Sequence, residues 1–118
     1  MAEPEIFREP VPKETIQRLA DEAFGNMVKF VADLERRIVC AGGWLHSDEE
    51  EILLQDGSRQ SHLWGANFYL DRPKETRLVY SSMINVRPGD VNCRQEIERP
   101  EIRKQVKELA DVFFGAWV

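Results

Sequence analysis

Glycine and proline break this chain at short intervals: Pro12, Gly25, Gly42-Gly43, Gly57, Pro73, Pro88-Gly89 and Pro100. Between the breaks the apolar residues recur with two different periods, and this switching restricts the fold more than any other feature. A period near 3.6 marks a helix with one buried stripe, and a period of two marks a strand with one buried face. Proline suits the first turn of a helix and glycine the residue after its last turn, so the breaks also say where elements begin and end.

Residues 1–11, with Pro4 and Pro10, predict an extended N-terminal arm. Pro12 at the first helical position, with Ile16, Leu19, Ala20 and Ala23 at helical spacing, predicts a helix over 12–24 that stops at Gly25-Asn26. Residues 27–40 fit both periods. Val28, Val31 and Ile38 make a helical stripe, whereas Val28, Phe30, Ala32 and Leu34 make one face of a strand. The β-branched and aromatic content, with Gly42-Gly43 beyond, favours a hairpin turning near Glu35-Arg36. Ser47 with Glu50 three residues later reads as a capping box that opens a short acidic helix, closed by Gly57.

Trp64, Ala66, Phe68 and Leu70 alternate with Gly65, Asn67 and Tyr69, and Leu78 to Arg87 alternates in the same way. The pair predicts an antiparallel hairpin with Phe68 opposite Tyr80, Trp64 opposite Ile84 and Asn67 opposite Ser81. Pro100 then opens a helix whose Ile102, Val106, Leu109, Phe113 and Trp117 form one stripe. The order α-β-β-α-β-β-α predicts a single α+β domain over 12–118, with a four-stranded, mainly antiparallel sheet packed by helices.

Composition agrees with one such domain: 118 residues, 42% hydrophobic and 31% charged. The net charge of −5 argues against a nucleic-acid binder, and Arg99, Arg103 and Lys107 lie among acids on what reads as a solvated helix face. No segment reaches the ~18 apolar residues of a membrane span. The start of the chain lacks the basic-then-apolar pattern of a signal peptide. Two cysteines, Cys40 and Cys93, read as free thiols, and the chain as soluble and cytoplasmic.

Three blocks carry a resemblance. They are Gly42-Gly43-x-Leu45-His46-x-Asp48-x-Glu50, Gly57-Ser58-x-Gln60-x-x-Leu63-Trp64-Gly65-x-Asn67-x-Tyr69, and Ser82-x-Ile84-Asn85-x-Arg87-Pro88. In order and spacing they resemble a family of small prokaryotic proteins of unknown function, over about residues 12–110. That resemblance implies no activity, cofactor or catalytic residue.

Two polar groups are candidates for chemistry. His46 with Asp48 and Glu50 could transfer protons near neutral pH, and His46 and Glu50 would share a helix face if the helix began one residue earlier. Asn67, Asn85 and Arg87 fall on one sheet face and would hold a small anionic ligand, Arg87 by paired hydrogen bonds. If helices cover both faces, the asparagines become buried amides with structural partners. No phosphate loop, CxxC, HExxH or GxSxG motif occurs, which leaves the cofactor unknown; His46 with its carboxylates could also bind a divalent metal, with His62 as a third ligand if the chain folds back. Val112 and Phe114 lie off the stripe of the last helix and, with Val118, predict a homodimer through it. These features support first a small binding or interaction module. The alternative is a small metal-assisted hydrolase or acid–base enzyme centred on His46 with Asp48 or Glu50, with Arg87 holding an anion.

Overall fold

A computed structural model describes residues 2–118; Met1 of the predicted arm lies outside the described residues. Residues 27–40 form the hairpin: β2 (Met27–Asp33) and β3 (Ile38–Ala41) pair antiparallel, with Phe30 opposite Ala41. Asp33 ends the first strand by accepting the amides of Glu35 and Arg36, each at 2.9 Å. Arg37 takes the left-handed conformation, φ 55°, that brings the chain back.

The sheet grows outward from this hairpin. β4 (Leu63–Tyr69) pairs with β2 along its whole length, from Met27 opposite Tyr69 to Asp33 opposite Leu63. β1 (Glu5–Phe7) adds to the free side of β3, and β5 (Leu78–Val79) to the free side of β4. The result is a five-stranded antiparallel sheet in the order β1-β3-β2-β4-β5. The expected sheet had four strands. The fifth comes from the residues read as an arm, whose amides and carbonyls find their partners on β3.

α1 (Lys13–Asp21) and α3 (Pro100–Phe113) cover one face of the sheet, and α2 (His46–Gln55) the other. On the first face Ile16 and Leu19 of α1 and Val106 and Leu109 of α3 pack on Phe30, Trp64 and Phe68. On the second face Leu53 of α2 packs on Val31, Cys40 and Leu63. The thiols of Cys40, buried, and Cys93, exposed, are both free. No helix of the described residues is long and apolar enough to cross a membrane.

Four expectations need correction. α1 begins and ends inside the predicted 12–24, at Lys13 and Asp21. The capping box does not form: α2 starts at His46 after an extended Leu45, which places Ser47 inside the helix. Burial sets this phase, because His46, Glu49 and Leu53 then point together at the sheet. The second hairpin pairs only at Asn67 with Val79 and Phe68 with Leu78, two residues out of the expected register, and the chain leaves the sheet after Val79. Phe114, read as free for a second partner, lies against the rings of Phe30 and Phe68 with centroids 5.1 Å from each. Val112 and Val118 remain exposed.

Candidate ligand-binding site

The early departure of the chain after Val79 leaves the outer edge of β4 without a strand from Gly65 to Leu63. Side chains take its place. The carboxamide of Asn85 accepts the Gly65 amide and donates to the Gly65 carbonyl, both at 2.9 Å, as a peptide group of a neighbouring strand would. One residue pair further on, Arg87 donates to the carbonyls of Gln60 and Leu63 and stacks its guanidinium 3.9 Å from the Trp64 ring centroid. Gly65 makes this possible, since a Cβ there would lie 2.6 Å from the Ser82 side chain. Asn92 holds the loop from behind: its amide group donates to the carbonyls of Asn85, Arg94 and Glu96, and its oxygen accepts the Glu98 amide. Asn85 and Asn92 are fully buried and Arg87 nearly so.

On the same side of the sheet, the start of α2 and residues 81–84 enclose a cleft of about 300 Å³. Lys29, His46, Asn67, Ser81 and Ser82 present polar groups to it, and Leu45, Met83 and Ile84 present apolar ones. His46 is buried and donates from Nε2 to the Ala66 carbonyl at 2.8 Å, which leaves the lone pair on Nδ1. Burial holds its pKa down to about 4, against the Ala66 bond and with the charge of Lys29, so the ring is neutral at pH 7. Asn67 donates to the Ser81 carbonyl at 3.2 Å and accepts from Lys29 at 3.4 Å.

The residues singled out from sequence thus divide. His46 and Asn67 meet in the cleft; Asn85 and Arg87 complete the edge of β4 and do not line it. Asp48 is exposed on the outer side of α2. Glu50 is half-buried near Arg87 and Gln60; burial pushes its carboxyl up, and these two neighbours oppose that. No group of three His, Cys, Asp or Glu side chains among the described residues could hold a metal ion.

Sequence reasoning missed Lys29, Ser82 and Glu49. Lys29 lies on the face of β2 opposite Val28 and Phe30, and its apolar neighbour Val31 on that face was the available signal that this side is covered too. Glu49 had only its helical spacing from His46 and Leu53. It is fully buried, accepts the Gly43 amide at 2.9 Å through Oε2, and has no partner for Oε1. Burial pushes its carboxyl well above the ordinary range, against the Gly43 bond and the charge of Lys29.

A family model described as "Protein of unknown function (DUF5674)" matches residues 5–113, a span that contains all three blocks quoted above. No curated protein and no solved structure matches the chain.

Proposed function

Because the chain belongs to this family of proteins of unknown function, its role has to be argued from the site, and we propose that it is a small ligand-binding module whose site is the cleft at the start of α2. The observation that carries this reading is the convergence of Lys29, His46, Asn67 and Ser82 on one concavity of about 300 Å³. Ligand sites are concave and largely apolar, with a few placed polar groups that fix orientation. A larger concavity of about 770 Å³, between Phe68, Leu78, Ala110 and Trp117, has mostly apolar walls. Charged side chains there are already engaged with the protein: Arg77 donates to the Trp117 carbonyl and Lys107 pairs with Asp111.

Binding accounts for the site better than proton transfer does. Nε2 of His46 is committed to a backbone carbonyl, and the ring has no carboxylate beside it to orient or charge it. The acid–base alternative needs His46 and Arg87 at one cleft, and Arg87 is engaged elsewhere.

A collection of small polar molecules screened by amide chemical shifts tests the reading. Binders are expected to move the amides of Lys29, His46, Asn67 and Ser82. Ser47→Trp, at an exposed position on the cleft wall, is expected to abolish binding without changing the melting temperature. Binders that cluster around Phe68 and Trp117 instead, or that ignore Ser47→Trp, would overturn it.

A further inference from the structure

Resting on that reading of the cleft, we infer that its ligand is a small organic anion, with the negative group held by Lys29 and the apolar body against Leu45 and Met83. Lys29 is the one charged side chain among the described residues that line the cleft. It stands on β2, near the middle of the sheet, opposite Asn67 of β4 and under the start of α2. The residue is half-buried, and the cleft leaves its ammonium room for a charged partner.

No acid lies within ion-pair distance of it among the described residues. Some cations of the chain do have carboxylate partners: Arg8 and Arg36 share Asp56 at 2.7 Å, and Arg18 reaches Glu5 at 2.9 Å. Lys29 makes no ion pair among the described residues. Its hydrogen bond to Asn67 is 3.4 Å long, and an ammonium has three protons to donate. Its other neighbour is the face of Phe24, 5.5 Å from Nζ to the ring centroid. Glu49 influences it only through space: its Oε2 accepts the Gly43 amide, and it forms no ion pair with Lys29.

The surroundings match an anion with an apolar part. The carboxamide of Asn67 lies beside the cation, Ser82 lines the same cleft, and the neutral His46 adds no second charge. Leu45 and Met83 border the same cleft and are among the most exposed large apolar side chains of the molecule, at 56% and 72%. Phe24, edge-on to the exposed Trp44 at 5.4 Å, extends this apolar border past Lys29. An apolar body lying across Leu45 and Met83 would remove that surface from water while its charged end met the ammonium.

The test compares 3-phenylpropionate and phenyl phosphate with the neutral 3-phenylpropionamide, by amide chemical-shift titration of the intact chain. At least one anion is expected to bind in the cleft about tenfold more tightly than the amide, roughly the preference that 1.4 kcal/mol provides. Which anion does so separates a carboxylate site from a phosphate site. Lys29→Met is expected to bring the anion down to the affinity of the amide, and Lys29→Arg to retain the preference. If the amide binds in the cleft as tightly as both anions, the anion inference fails and the cleft reading stands. If none of the three moves cleft resonances, both fail.

Discussion

The two faces of the sheet are built on different principles. The face under α1 and α3 is closed by large apolar side chains, Phe30, Trp64, Phe68 and Phe114 among them. The face under α2 holds only a small apolar cluster, and beside it lie His46, Glu49, Asn67, Ser82 and Asn85, all buried. The first face derives its stability from area removed from water, which needs no particular partner. The second depends on named hydrogen bonds, each of which leaves an expensive orphan if its partner is lost. That difference teaches where function can lie: a polar face under a helix is the one that can present oriented donors to a ligand.

Substitutions in the two faces should therefore fail by different routes. The largest effect is expected on the apolar face. Phe114→Ala removes a ring in contact with Phe30 and Phe68, and should lower unfolding stability by about 3–5 kcal/mol in a urea titration. A loss under ~1 kcal/mol would mean that α3 ends loosely docked.

The next is a pH effect confined to the polar face. The free histidine value is 6.5, and burial holds folded His46 at about 4. As pH falls from 6.5 the unfolded chain therefore takes up this proton before the folded one does. Stability is present above 6.5 and is lost toward 4, by about 3 kcal/mol at the lower limit from this group alone. His46→Gln, which keeps a donor for the Ala66 carbonyl, should flatten that part of the stability–pH curve. If wild type and variant run parallel between these limits, His46 is not buried as described.

A smaller loss is expected at the edge of β4. Asn85→Ala strands the amide and carbonyl of Gly65 and should cost about 2 kcal/mol, with faster hydrogen exchange confined to Gly65 and its neighbours. Exchange that rises evenly through the sheet would show that Asn85 does not stand in for a strand.

Local pattern carried much of the architecture. The alternation of Val28, Phe30 and Ala32 located one face of β2, and the Ile102–Val106–Leu109–Phe113 stripe located α3. The pattern misled over 80–87, where alternation continues though the chain has left the sheet. Period two reports which side chains are inward, and an irregular segment lying along a sheet edge can satisfy the same rule while its amides bond elsewhere. The candidate site was half visible. His46 and Asn67 were identified by residue type, but Lys29 looked like an ordinary outward lysine, because its face acquires a roof only when α2 packs there.

The inward faces of α1, β4 and α3, and the strand character of β2, were thus properties of the chain itself. Backbone sterics and apolar spacing act within a few residues of one another, and the pattern of Gly, Pro and apolar positions records them. Other assignments had to wait for the folded molecule. Asn85 and Arg87 in place of a strand, Glu49 rather than Glu50 as the fully buried acid, and Lys29 in a cleft without an acid all depend on groups distant in sequence. A hydrogen bond or an ion pair is decided by what lies within about 3 to 4 Å in space, and no local pattern encodes that distance.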